Sequence, residues 1–417
     1  MTDDWDDDFD DEFDDEFDED DFEAVRLGFK FIAAGAFDEL ELGPLLDAAA
    51  GKTISPVVKA ICLNLLDRPE YAFYNVLQNF EGQPYKVLLD PEVRLCQLNN
   101  KAAYKVLDLL GSLDLETLYR SCVQRAQHFL KSTEISNNAE DSAEQESKKT
   151  IFFASGQVNL LVLSSVSHGP DRLCLSFNAL LDGKSKLPLE LSFAEIPADQ
   201  ASALSGSKGS KERCKALISL LERSELSGSV LELSKALNIK GVREAAQKAG
   251  VEVYERNPDA AKVKKAVCWT LWEFLQKDEV LTCAPQTLKS AERVHAVGFI
   301  LSLSLLLWYF IGVRVREICS RLKVSDLIEE TAAQSSKKKG AAAAQVKPIN
   351  MQVFHRELCH LLAPELFIYP ASGELEFDCV TDNLAAVVKE LGPCYQRFLQ
   401  AETYDVKELL QQLGILD

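Results

Sequence analysis

The sequence predicts a mostly α-helical protein with smaller β elements, an α+β fold divided into several domains. Apolar residues recur with helical spacing through most of the chain, whereas short β-type runs concentrate between residues 151 and 196. At 417 residues the chain is too long for one ordinary core, which suggests two or three domains. Its composition, 47% hydrophobic and 26% charged, is that of a globular protein.

The first 22 residues differ from the rest of the chain. Residues 1–23 hold 16 of the 65 acidic residues and none of the 45 basic ones, so the remaining 49 acids and 45 bases nearly balance. Large aromatic residues recur about every fourth position: Trp5, Phe9, Phe13, Phe17 and Phe22. Like charges at this density oppose an isolated helix, so we expect a disordered acidic–aromatic tail.

The aromatic residues favour partner binding over a purely solubilising role for this tail. Charge attracts a basic partner over distance, and the rings supply contact area once it arrives. The partner is either a basic protein or the chain's own basic surface, where the tail would compete with nucleic acid.

Residues 23–130 alternate helical patterns with turn signals and indicate an α-helical domain. The Ser-, Glu- and Asn-rich stretch 131–150 predicts a linker. Residues 151–204 contain strand-like runs separated by the turn compositions SHGPD and DGKSK, which predict an antiparallel β region.

An apolar run of eighteen residues, AVGFILSLSLLLWYFIGV at 296–313, is long enough for a membrane span. Arginines flank it on both sides, at Arg293 and at Arg314 and Arg316, so no orientation bias results. We prefer a buried core helix, because further folded elements are predicted after it; a single-span membrane protein remains the alternative.

Two regions carry patterns of known DNA-binding folds. Within 211–280, the helical patterns ERCKALISLLER, SVLELSKALN and VREAAQKA surround a turn at IKG, an order similar to a helix-turn-helix. Within 290–417, the apolar helix, the triplet VRV, the helices REICSRLKVSD and NMQVFHRELCHLL, and the hairpin ELFIY–PASG–ELEFDCV resemble a winged helix. A low-complexity insertion at 329–347 interrupts that order.

The winged-helix resemblance implies binding to DNA or to other proteins in chromosome or transcription machinery. Candidate nucleic-acid-binding residues are Arg314, Arg316, Arg321, Lys323, Lys337, Lys338, Lys339, Gln352 and Arg356. The predicted wing, however, is acidic, and the chain lacks the basic excess of a dedicated DNA binder. We therefore predict a non-enzymatic interaction subunit of a nucleic-acid-associated assembly; the alternative is a DNA-binding regulator autoinhibited by its tail.

Candidate sites for chemistry are weak. AAAGKT at 48–53 has Leu46 where a phosphate-binding loop needs glycine, and DGKSK at 182–186 has Asn178 there. HRELCH at 355–360 lacks the paired cysteines typical of zinc sites, and Ser167–His168 lacks the context of a nucleophile elbow. We expect no catalytic residue, cofactor or metal.

Cysteine usage indicates a reducing compartment. The eleven cysteines are an odd number, no secretory leader opens the sequence, and many have apolar neighbours. We expect free thiols and a location in the cytosol or nucleus.

Overall fold

The computed structural model describes residues 22–67, 69, 72–73, 76–137, 149–162, 171–183, 185, 187–197, 207–255, 281–283, 285–325, 327, 349–361, 363–370 and 372–416. The predicted α+β class is confirmed: these residues form thirteen α-helices and nine strands.

The helices in chain order are α1 (Lys30–Glu39), α2 (Leu42–Ala50), α3 (Ser55–Asp67), α4 (Tyr85–Leu88), α5 (Asn100–Gly111), α6 (Leu115–Asn137), α7 (Ser207–Arg223), α8 (Lys240–Lys248), α9 (Ala291–Leu322), α10 (Met351–Arg356), α11 (Asp382–Leu391), α12 (Pro393–Gln396) and α13 (Val406–Gln412). A π-helical turn at Glu357–Leu361 continues α10. Helix α6 shows that the segment predicted as a linker from residue 131 is helical as far as Asn137.

The strands are β1 (Glu23–Arg26), β2 (Thr150–Val162), β3 (Asp171–Asp182), β4 (Pro188–Pro197), β5 (Val230–Leu233), β6 (Glu252–Glu255), β7 (Leu281–Cys283), β8 (Glu365–Tyr369) and β9 (Glu374–Asp378). One sheet has the order β4-β3-β2-β5-β6, with β7 also paired to β2. Strands β2 to β4 are antiparallel, as predicted, whereas β5 and β6 extend the sheet in parallel. Helix α8 makes the crossover between the two parallel strands.

Helix α9 runs through the centre of the protein and contains the apolar run. By length and hydropathy it could cross a membrane, and 94% of its apolar window is buried inside the fold. Its buried serines are hydrogen-bonded within the helix: Ser302 Oγ donates to Gly298 O at 2.7 Å, and Ser304 Oγ donates to Ile300 O at 3.0 Å. Because these hydroxyls bond to backbone carbonyls, the helix buries them without loss of hydrogen bonds.

Elements from both ends of the chain pack around α9. Helices α1, α3, α5, α6 and α11 and strand β4 all contact α9. At Gly298 the ring of Phe193 on β4 lies so close that a Cβ atom would overlap it, which explains the glycine. Residues predicted to form separate first and last domains therefore share one hydrophobic core.

Three local predictions are wrong. VRV at 313–315 is part of helix α9, in which Val315 and its neighbours face the core with helical spacing. The helix predicted to begin separately at Arg316 is also part of α9, which ends at Leu322. SVLELSKALN is not a helix: its residues Val230–Leu233 form β5, and alternate side chains of that strand are buried. The predicted C-terminal hairpin is confirmed as β8 and β9.

A second, three-stranded sheet joins the two ends of the chain. Its order is β1-β8-β9, and β1 pairs antiparallel with β8 from Glu23 opposite Ile368 to Arg26 opposite Glu365. On its inner face, residues of the strands pack against α13 and the turn before it in a small core: Val25, Leu366, Ile368, Tyr404, Leu409 and Leu410.

Candidate interaction surface

The outer face of the three-stranded sheet carries aromatic rings at the point where the acidic tail enters the fold. Alternation along β8 turns Leu366 and Ile368 inward, which directs Phe367 and Tyr369 outward. Phe22, the first described residue, is 52% exposed and packs edge-on against Phe367 with ring centroids 5.0 Å apart. Its ring lies 6.2 Å from that of Tyr369.

Carboxylates surround these rings. The register of the sheet places Glu376 opposite Phe367 and Glu374 opposite Tyr369, with Asp378 opposite Glu365. The aromatic–acidic face therefore consists of Phe22, Arg26, Glu365, Phe367, Tyr369, Glu374, Glu376 and Asp378. Four carboxylates face one guanidinium, so the potential of this surface is negative.

The groups on the aromatic–acidic face are partly engaged with one another. Arg26 Nε donates to Glu365 Oε1 at 2.5 Å at one end of the face. At the other end, the Tyr369 hydroxyl lies 3.5 Å from Glu376 Oε2. Within the described part of the chain no ion pair involves Glu374 or Glu376.

Sequence reasoning identified Phe22 but not the rings of β8. Trp5, Phe9, Phe13 and Phe17 lie outside the described residues. The signal for Phe367 and Tyr369 was present in the hairpin pattern, since strand alternation places both on one face opposite the acids of the next strand. The pattern could not show which face is covered by α13.

Arg314 does not lie on a surface, so its assignment to nucleic-acid binding is wrong. Its Nη1 donates to Glu39 Oε2 at 2.8 Å, and its Nη2 donates to Leu391 O at 2.8 Å. Burial raises the pKa of Glu39, and the nearby Arg314 opposes that shift. A charge pattern alone cannot reveal a partner 275 residues away.

The other candidate nucleic-acid-binding residues differ in their surroundings. Arg316 is half-buried and donates to Gly312 O, and Arg321 pairs with Glu390. Lys323 ends helix α9 in the left-handed conformation, and Lys337, Lys338 and Lys339 lie outside the described residues. Near the start and end of α10, Gln352 is half-buried and Arg356 is exposed.

Within HRELCH, His355 and Cys359 are hydrogen-bonded to helix α3. His355 Nε2 lies 2.7 Å from Leu66 O, while Cys359 Sγ lies 3.4 Å from His355 Nε2 and 3.5 Å from Asp67 Oδ1. Asp67 Oδ1 also accepts from Phe29 N at 2.9 Å. These contacts attach α10 to α3, and within the described ranges no three His, Cys, Asp or Glu side chains are arranged to hold a metal ion.

A cleft of about 520 Å³ lies between the α1–α2 corner and α6. Glu41, in the left-handed conformation with φ of 47°, forms part of its wall. Arg125 Nη1 bonds to Glu41 O at 2.8 Å and to Glu41 Oε2 at 2.9 Å. The arginine thus stabilises the corner of the chain, which is a structural role.

Comparison with known proteins gives one partial match. Residues 23–124, about a quarter of the chain, are similar to a family described as a domain of unknown function, DUF4277. The matched region includes β1 and the helices from α1 to α5, and it ends within α6. No curated protein matches the chain.

Proposed function

We propose that this protein is a non-enzymatic interaction subunit of a nucleic-acid-associated assembly and that it binds a basic segment of a partner protein. The observation that carries the proposal is the aromatic–acidic face, which continues the composition of the tail onto the folded domain at Phe22. The tail precedes Phe22 directly in the sequence, so both its acids and its aromatic residues adjoin the face along the chain.

Charge and aromatic rings make different contributions to this binding. The acids of the tail attract a basic segment from a distance, an effect that salt screens. Aromatic rings then supply area that stays buried after contact and is less sensitive to salt. A partner rich in lysine and arginine satisfies both requirements, and such segments are typical of proteins that contact nucleic acid.

The sign of the charge favours a partner protein over DNA at this surface. Phosphates would meet the carboxylates Glu374, Glu376 and Asp378 on β9, and the tail would add further repulsion. The same repulsion opposes docking of the tail on the aromatic–acidic face, so the two elements act side by side on one partner.

The proposal assigns no chemical step to the chain. The thiol of Cys359 and the imidazole of His355, which lie close together, are both bonded to groups of the fold. No disulfide joins the ten cysteines in the described ranges, as expected in a reducing compartment such as the cytosol or nucleus.

The test is fluorescence anisotropy with a labelled peptide of lysine, arginine and serine residues, titrated with the full chain across a salt series. Replacing Trp5, Phe9, Phe13 and Phe17 by serine while retaining every acid should weaken binding at physiological salt by at least about tenfold. At low salt the loss should be smaller, because charge attraction remains.

Two outcomes would contradict the proposal: no binding of the basic peptide by the wild-type chain, or unchanged binding by the serine variant. Duplex DNA added to the complex should release the peptide by competing for its basic residues, as expected for a partner that also binds nucleic acid.

A further inference from the structure

We propose that the aromatic–acidic face binds arginine side chains of the partner in preference to lysine. This inference rests on the proposed function and specifies the chemistry of the partner. A guanidinium is planar, stacks on aromatic rings and donates two parallel hydrogen bonds to a carboxylate, whereas an ammonium is compact and strongly hydrated.

The face has both acceptors that a guanidinium needs. Phe367 and Tyr369 present rings on the outer side of β8, and Glu376 and Glu374 lie directly across on β9. The Phe22 and Phe367 rings pack edge-on, with centroids 5.0 Å apart and an angle of 77° between their planes. A guanidinium can stack on the exposed side of one of these rings.

The protein's own arginines show this combination of ring and carboxylate repeatedly. In three places a guanidinium lies over an aromatic ring while it is paired with an acid. These are Arg293 over Tyr104 with Asp108, Arg314 over Phe129 with Glu39, and Arg397 over Phe398 with Asp38. The distances from guanidinium carbon to ring centroid are 5.2, 4.8 and 4.6 Å.

Lysines also approach rings beside carboxylates in this protein, since Lys30 is paired with Asp67 and Lys59 with Asp38. Lys30 lies 5.0 Å from the Phe80 ring and Lys59 lies 5.7 Å from the Phe37 ring. Both lysine side chains are buried, at 8% and 3% exposure, and both ammonium groups also donate to backbone carbonyls. Arg397, by contrast, combines a ring and an acid while its side chain is 42% exposed. An exposed site therefore suits a guanidinium better than a strongly hydrated ammonium.

The face already binds one arginine of its own. Arg26 on β1 pairs with Glu365 at one end of the face and remains 58% exposed, whereas Tyr369 lies at the opposite end. Glu374 and Glu376 are exposed on that end, next to the ring of Tyr369. An arginine of the partner can stack on this ring and bond to the neighbouring carboxylates.

The test compares two peptides of equal length and charge, one with arginine and one with lysine at every basic position, by anisotropy against the full chain. We expect the arginine peptide to bind about two- to fivefold more tightly. The double variant Phe367→Leu/Tyr369→Leu should bind both peptides with nearly equal affinity. Tyr254→Leu is the matched control, because Tyr254 is an exposed aromatic residue on β6 of the other sheet.

Each outcome separates the inference from the proposed function. Equal affinity of the wild-type chain for both peptides would overturn the arginine preference and leave basic-partner binding intact. No binding of either peptide would overturn both. A preference that persists in the double variant would show that the face is not its source.

A second variant tests the inference even if the Phe367→Leu/Tyr369→Leu variant does not fold. Glu374→Gln/Glu376→Gln alters only exposed side chains, so its circular dichroism spectrum should match that of the wild type. Loss of the carboxylates should reduce the arginine preference, since the paired hydrogen bonds are lost.

Discussion

Replacing Arg314 by alanine should lower the free energy of unfolding by about 3–5 kcal/mol, the usual cost of breaking a buried ion pair by removing one partner. Arg314 pairs with Glu39, and the two side chains are 8% and 10% exposed. After the substitution the Glu39 carboxylate keeps the hydrogen bond from the Tyr395 hydroxyl, at 2.8 Å. It also removes the bond to Leu391 O and the stacking on Phe129, which places the expected loss within this range.

The loss should depend on pH in a definite direction. Burial already raises the pKa of Glu39, and without Arg314 the pKa should rise further. An acid with a raised pKa in the folded state binds more protons when folded than when unfolded. The free energy of unfolding therefore falls as the pH rises from the ordinary pKa of a glutamate through the pKa of Glu39 in the folded protein. The difference in stability between the wild type and the Arg314→Ala variant should become smaller in acid.

Urea unfolding followed by circular dichroism measures this loss. The matched control is Arg321→Ala, because Arg321 and Glu390 are 45% and 40% exposed and such a pair contributes at most about 1 kcal/mol. Adding Glu39→Gln to the alanine variant should restore part of the stability by removing the unpaired charge. A loss at Arg314 no greater than that of the control would refute the buried-pair reasoning.

Three further predictions concern packing, thiol reactivity and membranes. Gly298→Ala should destabilise the fold by about 1–3 kcal/mol in urea, because its Cβ would overlap an aromatic ring of β4, whereas Gly312→Ala, whose nearest neighbour lies 3.6 Å away, should cost nothing. Burial raises the pKa of the Cys62 and Cys122 thiols to about 12. Iodoacetamide should therefore modify exposed Cys96 in the native protein and the two buried thiols only after unfolding, as mass spectrometry would show. The chain should remain in the supernatant of a detergent-free lysate after ultracentrifugation, since helix α9 is already covered by protein; recovery only with detergent would contradict this.

Local patterns predicted the elements whose stability depends on nearby residues. The hairpin of β8 and β9 was predicted because two alternating runs flank the turn PASG. The core position of α9 was preferred because folded elements were predicted after it, and its apolar window is 94% buried. The prediction was wrong at Val230–Leu233, because the pattern of these four residues fits a strand and a helix equally well. They form a strand because they pair with β2 and β6.

Distant contacts explain what the sequence could not predict. Strand β1 is only four residues long, and its partner β8 lies more than 300 residues later, so no local pattern marks it. For the same reason the buried position of Arg314 depends on Glu39, which neighbouring residues cannot reveal. Phe22 was selected for its aromatic character, but its neighbours on the aromatic–acidic face lie more than 300 residues later in the chain.

The pairing of β1 with β8 has a consequence for protein synthesis. The ribosome makes Phe22 and β1 more than 300 residues before Phe367 and Tyr369, so this sheet can form only after the intervening chain has been translated. A product that stops before β8 therefore carries the acidic tail but lacks the aromatic–acidic face. A partner that needs both the tail and the face would distinguish molecules that contain β8 and β9 from shorter ones without any separate quality-control factor.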